Sequence, residues 1–183
     1  IQVGTTTEMN LADYFGANGM SYESIPVETN SEADAAYLAG RCDIYTTDAS
    51  GLYASRAGYP DPSAHIVLPE IVSKEPLGPS VRGNDSEWAD VVRWSLNAMI
   101  IAEEKGITSG NVDDMIANSP DPETQRLLGV KAGYGAWLGL SDDWAANIIR
   151  QVGNYSESFE KHIGVNTPIN IARGLNALYK DGG

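Results

Sequence analysis

The fold is decided at residues 1–8, which read IQVGTTTE. An apolar run that ends in a glycine predicts a short strand over residues 1–3. Thr5, with Glu8 three residues later, predicts the N-terminus of a helix, and the apolar spacing extends that helix over residues 6–17. The opening stretch therefore predicts a strand that passes through a turn into a helix.

The same alternation continues through the first 82 residues. Further strands are predicted over residues 22–27, 42–47 and 65–69, and further helices over residues 32–38 and 49–56. Strands and helices that alternate through short connections are typical of a mostly parallel sheet with helices on its faces. Residues 1–82 are therefore predicted to form an α/β unit with such a sheet.

The character of the chain changes after residue 82, because residues 83–183 show helical spacing without a strand pattern. Helices are predicted over residues 86–105, 111–118, 121–128 and 142–162, and a last one from Pro168 to Tyr179. The apolar faces of these helices need more covering surface than the first part offers. Because the chain also opens within a strand and without a methionine, we expect it to be the C-terminal part of a longer protein.

Composition narrows the function classes before any motif is considered. The 183 residues carry 12 Lys and Arg against 25 Asp and Glu, a formal net charge of −13, and 42% of them are hydrophobic. This balance argues against nucleic acid and anionic membranes as partners, and against general disorder. The single Cys42 excludes an internal disulfide, and the two histidines lack metal-ligand spacing. We therefore expect no metal, no cofactor and no catalytic residue.

Polar residues follow the first predicted strand in the group Thr5, Thr6 and Thr7. The N-terminus of a helix presents unpaired N–H groups, and hydroxyls beside them add donors, so the group suits a carboxylate or a phosphate. The alternative is that Thr5 and Glu8 form an ordinary capping box. The two interpretations are compatible, because capping leaves other donors of the first turn free.

A carboxylate, Asp48, follows the predicted strand over residues 42–47. Ligands of open α/β sheets bind outside the carboxyl ends of the strands, so we expect Asp48 to face the same site as the threonines. A carboxylate there can pair with a cation, although Asp48 can equally be a cap of the following helix. Donors for an anion beside an acceptor for a cation fit a zwitterion, of which a free amino acid is the simplest.

Longer motifs point to a known family. Residues 3–8, VGTTTE, and residues 40–48, GRCDIYTTD, resemble the second lobe of the polar amino-acid-binding periplasmic proteins of ABC importers. The stretches SKEPLGP at 73–79, QVGNY at 151–155 and IARGLNAL at 171–178 are similar to the general L-amino-acid-binding subgroup. The resemblance runs across nearly the whole chain, and its combined motifs are more specific than the Gly-Thr-Thr piece alone.

This resemblance implies a two-lobed clamshell with a type II connection. Residues 1–82 would form the α/β ligand-binding lobe 2. Residues 83–183 would be a helical segment that completes lobe 1, whose N-terminal sheet is absent from this chain. The chain alone would then hold only half of the ligand shell.

The resemblance also implies roles for particular residues and partners for the protein. Thr5 and Thr6 match positions that hydrogen-bond the ligand, and Thr7 matches a position whose side chain contacts it. Asp48 matches the carboxylate that binds the α-ammonium, and Thr47 matches a neighbouring residue that contacts the ligand. The implied partners are a free L-amino acid and the membrane permease of an ABC importer. The implied location is the periplasm, reached by a signal peptide in the parent chain. This piece alone is expected to self-associate through exposed helix faces.

Two other classes of function stay open at this point. One is an enzyme on the same fold, such as a dehydratase, with Asp48 or Glu75 as its general acid or base. The other is a sensory amino-acid-binding domain of a receptor. A solute-binding protein without enzymatic activity is the prediction that the motifs favour.

Overall fold

The computed structural model describes residues 1–131 and 134–183. The chain divides into two compact units, Ile1–Pro76 (unit 1) and Leu77–Gly183 (unit 2). The division falls six residues before the boundary expected from the sequence at residue 82. The assignment of the two parts to lobes stays a prediction.

Unit 1 contains the three helices that the sequence predicts. α1 has the predicted bounds, α2 begins two residues earlier, and α3 ends two residues later, because N-terminal caps and closing turns fix helix ends locally. The helices are α1 (Thr6–Ala17), α2 (Asn30–Leu38) and α3 (Ala49–Gly58), followed by a 3₁₀ turn at Pro62–Ala64.

The predicted sheet is not confirmed. Gln2 and Val27 form a parallel bridge, in which the N–H of Val27 donates to the carbonyl of Ile1 at 3.0 Å. The first two predicted strands thus run parallel, but the described residues of the other two, 42–47 and 65–69, form no ladder. β-Branched composition alone does not make a strand, because each strand needs a neighbour to pair with and a surface to cover.

An aromatic cluster joins α2, α3 and the chain around His65. Its rings are Tyr37, Tyr45, Tyr59 and His65, with centroids 4.9–6.5 Å apart. The Tyr59 hydroxyl donates to Asp34 Oδ1 at 2.7 Å, and the Tyr37 hydroxyl lies 2.9 Å from His65 Nδ1. Burial first, and then the Asp34 carboxylate, raise the pKa of Tyr59 above its ordinary value. The phenol therefore stays a neutral donor that ties α3 to α2.

Unit 2 is helical, and α4 is its central helix. It packs against α7 and α8, while α5 contacts α6 and α7. Within the described residues, none of the helices is both long and apolar enough to cross a membrane. The helices are α4 (Ser86–Glu104), α5 (Val112–Asn118), α6 (Pro122–Leu127), α7 (Trp144–Val152) and α8 (Tyr155–His162). Their shared core consists of Ala102, Ile107, Val112, Leu128, Ala146 and Ile149.

The prediction of a single long helix over residues 142–162 is wrong, because the helix ends before Gly153 and a second helix begins after it. Gly153 has φ 83° and ψ −178°, which no helical residue adopts. The next residue, Asn154, caps α8 with its side-chain oxygen on the N–H of Glu157 at 3.0 Å. Its amide group donates to the buried carbonyl of Ile107 at 2.8 Å. The local cap and this contact with a distant loop together interrupt the apolar stripe that runs through both helices.

Replacing Gly153 with alanine is expected to lower the free energy of unfolding of unit 2 by about 1–2 kcal/mol, because this backbone region is essentially restricted to glycine. A Cβ on Gly153 would also lie 2.7 Å from the Cβ of Glu157. Urea titration would measure the loss, with Gly110→Ala as the matched control. A Cβ on Gly110 meets nothing closer than 3.8 Å. Equal stability of the two variants would contradict the prediction.

The prediction of a last helix from Pro168 to Tyr179 is also wrong. The segment instead forms two 3₁₀ turns, Gly174–Asn176 and Tyr179–Asp181. Asn170 has φ 56° and Gly174 has φ 48°, and both values are incompatible with a right-handed helix. Local propensity favoured a helix here, but contacts with the rest of unit 2 decide the path.

Arg173 is the main anchor of this terminal segment. Its guanidinium pairs with the Glu103 carboxylate of α4 at 3.1 Å, and both side chains are largely buried. The same guanidinium lies over the rings of Tyr155 and Phe159, at 5.2 and 5.3 Å from their centroids. A largely buried ion pair supported by two aromatic faces fixes the C-terminal segment against α4 and α8.

Candidate functional site

The start of α1 is held by hydrogen bonds of two side chains, Thr5 and Glu8. The Thr5 hydroxyl accepts the N–H of Glu8 at 3.3 Å and donates to the carbonyl of Gln2 at 2.8 Å. The Glu8 carboxylate accepts the N–H of Gly4 at 2.9 Å. Thr5 therefore caps α1 as that interpretation predicts, but the capping box is incomplete because Glu8 accepts from Gly4 and not from the N–H of Thr5. The Thr5 hydroxyl proton is used within the protein.

The next two residues leave donors exposed. Among the described residues, no hydrogen-bond acceptor is assigned to the backbone N–H of Thr6 or of Thr7. Thr7 is half-buried and Thr6 is exposed. The Thr6 hydroxyl donates to Glu75 Oε2 at 3.3 Å. The first turn of α1 thus presents free N–H groups at the positive end of the helix dipole, which is a suitable surface for a carboxylate.

Asp48 occupies the N-cap position of α3, but its carboxylate does not cap the helix. Only its backbone carbonyl accepts a helical hydrogen bond, from the N–H of Leu52 at 2.9 Å. The side chain is exposed, and in the described part of the chain it makes no hydrogen bond and no ion pair. The alternative interpretation, in which the Asp48 side chain caps the following helix, is therefore wrong.

Thr47, the residue before Asp48, is half-buried. Its methyl group lies beside Gly51, where an added Cβ would come within 3.2 Å of Thr47 Cγ2. Glycine at position 51 therefore leaves room for the Thr47 methyl group at the first turn of α3. The threonines of α1 and the Thr47–Asp48 pair thus stand at the starts of two helices of unit 1, and their meeting around one ligand stays a prediction.

The start of α2 resembles that of α1 and forms a complete capping box, which was not among the predictions from the sequence. The Thr29 hydroxyl accepts the N–H of Glu32 at 3.2 Å, and the Glu32 carboxylate accepts the N–H of Glu28 at 2.9 Å. The segments that lead into α1 and α2 run parallel where Gln2 and Val27 form their bridge. The Thr-x-x-Glu spacing at residues 29–32 was the signal that could have found this capping box.

Glu75 is the other residue whose position the sequence left open. Its contact with Thr6 joins residues 69 positions apart in the chain, and no local pattern encodes such a pair. The described residues contain no cluster of three or more His, Cys, Asp or Glu side chains arranged to hold a metal ion.

The comparison with solved structures first defines the class. Over its whole length the chain matches an ABC transporter periplasmic binding protein from Brucella ovis with glutathione bound, with a TM-score of 0.92 and 54% sequence identity. This chain covers 57% of that structure. The chain is therefore similar in fold to part of a periplasmic binding protein. A comparison with protein-family models gives no match.

The curated relatives define a narrower class of protein than the solved structure does. The chain is 56% identical over 185 residues to the general L-amino acid-binding periplasmic protein AapJ of Rhizobium johnstonii. It is 50% identical to the glutamate/glutamine/aspartate/asparagine-binding protein BztA of Rhodobacter capsulatus and 51% identical to the putative amino-acid ABC transporter-binding protein YhdW of Escherichia coli. All of the chain is aligned in each case, and it spans about half, 54%, of the relatives' length. The resemblance seen in the motifs is confirmed: the chain is homologous to amino-acid-binding periplasmic proteins of ABC transporters.

Proposed function

We propose that this chain is part of the solute-binding component of an ABC amino-acid importer, which captures L-amino acids in the periplasm and delivers them to a membrane permease. The observation that carries the proposal is the alignment of the whole chain, at 50–56% identity, with amino-acid-binding periplasmic proteins. The free donors of α1 and the unused carboxylate of Asp48 supply groups of the right chemistry.

The proposed recognition is directed at the two charged ends of the ligand. The α-carboxylate accepts hydrogen bonds from the N–H groups of Thr6 and Thr7, where the helix dipole stabilises negative charge. The α-ammonium pairs with the Asp48 carboxylate, and a hydrogen bond between charged groups contributes about 1.5–3 kcal/mol. Thr5 orders this turn through its cap, and Thr47 lines the ligand beside Asp48. Because these contacts use groups that all amino acids share, the site accepts a range of side chains.

The proposed fold is a type II clamshell in which residues 1–82 belong to lobe 2 and residues 83–183 complete lobe 1. Relatives about twice as long leave room for the remainder of lobe 1. Micromolar affinity needs about −8 kcal/mol of binding free energy, which one ion pair and a few hydrogen bonds reach only when a second lobe also buries the ligand. Hinge closure of the two lobes would bring these contributions together.

An enzymatic role finds less support in the structure than a binding role. A dehydratase needs a carboxyl group in apolar surroundings to act as general acid. Asp48 and Glu75 are both exposed on unit 1. The named relatives are binding proteins, and we propose the same for this chain.

Calorimetric titration of the whole protein with a panel of L-amino acids is expected to show micromolar binding of several of them, with the ligands recovered chemically unchanged. Residues 1–183 alone are expected to bind at least about 100-fold more weakly, because half of the contacts are missing; tenfold corresponds to 1.4 kcal/mol. Absence of binding for every amino acid in the panel would refute the proposed function. Conversion of a ligand would instead favour the enzyme.

A further inference from the structure

The Glu75 carboxylate reaches the first turn of α1 and takes the Thr6 hydroxyl proton in a hydrogen bond of 3.3 Å. Both side chains are exposed, so the contact does not serve to fill the interior of unit 1. Thr5 and Glu8 already cap this helix without help from either residue. The Thr6–Glu75 contact is therefore not needed to form α1.

The direction of this hydrogen bond decides what Thr6 offers to a ligand. A threonine hydroxyl has one proton to donate and two lone pairs that accept. Because the proton is directed to Glu75, the oxygen that faces a ligand is an acceptor only. The backbone N–H of the same residue stays a donor, so Thr6 presents an acceptor and a donor side by side.

An α-ammonium carries three N–H donors, and one carboxylate does not satisfy all of them. We propose that Glu75 is a positioning residue of the amino-acid site, which holds the Thr6 hydroxyl so that its oxygen accepts a hydrogen bond from the ligand's α-ammonium. Asp48 receives a second ammonium proton, and the N–H groups of Thr6 and Thr7 receive the α-carboxylate. This inference rests on the proposed function and adds a residue that recognises no ligand atom itself.

Binding of L-alanine and L-glutamine to the whole protein tests the inference through four variants. Glu75→Ala is expected to weaken both affinities about fivefold, and Thr6→Val about tenfold. Glu75→Gln is expected to stay within about twofold of the parent protein, because its amide oxygen still accepts the Thr6 proton. The double variant Thr6→Val with Glu75→Ala is expected to be no weaker than Thr6→Val alone, because Glu75 acts through Thr6.

Glu70→Ala is the matched control, since Glu70 is exposed and makes no hydrogen bond or ion pair among the described residues. Its affinity should equal that of the parent protein. Parent-like affinity of Glu75→Ala, equal losses in Glu75→Gln and Glu75→Ala, or additive losses in the double variant would each overturn the inference while leaving the proposed function intact. A parent protein that binds neither these nor other amino acids would overturn the proposed function, and this inference with it.

Discussion

Asp48→Ala is expected to weaken amino-acid binding by the whole protein by at least about 2 kcal/mol, roughly 30-fold in affinity. The Asp48 carboxylate caps no helix, and within the described chain it forms no ion pair. In the proposed site it is the only charged partner of the ligand's α-ammonium. Its removal would leave that ammonium desolvated and unpaired when the lobes close, which is why the expected loss exceeds that of an ordinary hydrogen bond.

Calorimetry with L-glutamine and L-alanine would measure this effect, and both ligands should lose affinity equally because they share the α-ammonium. Asp43→Ala is the matched control. Asp43 is an exposed aspartate on the same segment, five residues earlier, and it has no assigned role in the site. Its replacement should leave binding within about twofold, since an exposed charge at a distance is screened. Near-parent affinity of Asp48→Ala would remove Asp48 from the site and with it the proposed ammonium contact.

Ile149→Ala is expected to lower the free energy of unfolding of unit 2 by about 3–4 kcal/mol. Ile149 is fully buried and belongs to the core that joins α4, α7 and the loop after α4. Truncation removes buried methyl groups and leaves a cavity, and isoleucine-to-alanine changes in cores typically cost 2–5 kcal/mol. The surrounding helices are held by several other contacts, so the site is not free to collapse onto the space.

Tryptophan fluorescence during urea unfolding would follow this change selectively, because all four tryptophans, Trp88, Trp94, Trp137 and Trp144, belong to unit 2. The matched control is Val152→Ala on the same helix, where the side chain is 51% exposed. The control should lose less than about 0.5 kcal/mol, apart from its small change in helix propensity. Equal losses for Ile149→Ala and Val152→Ala would show that Ile149 does not lie in a close-packed core.

The positions of most helices could be predicted because their signals are local. Thr5 before α1 and Asp85 before α4 each place a side-chain oxygen on an N–H group three residues further on. Gly40 and Gly106 follow α2 and α4 with φ of 67°, a conformation that glycine adopts without steric cost. Such interactions need no information from distant parts of the chain. The relationship to amino-acid-binding proteins was likewise carried by contiguous motifs, and the comparisons confirm it.

Distant contacts decided the rest. The break at Gly153 combines a local cap, in which Asn154 accepts the N–H of Glu157, with a contact between the Asn154 amide and the carbonyl of Ile107, 47 residues away. The path of the terminal segment depends on Glu103, 70 residues from Arg173.

The sequence by itself thus determined the first helices, their caps and the relationship of the chain to amino-acid-binding proteins. Only the tertiary structure decided which carboxylate meets Thr6 and which carboxylate pairs with Arg173. The physical reason is that a helix end is stabilised by neighbours within one turn. A buried amide, an ion pair or a hydroxyl proton is stabilised by whichever group the folded chain brings to it.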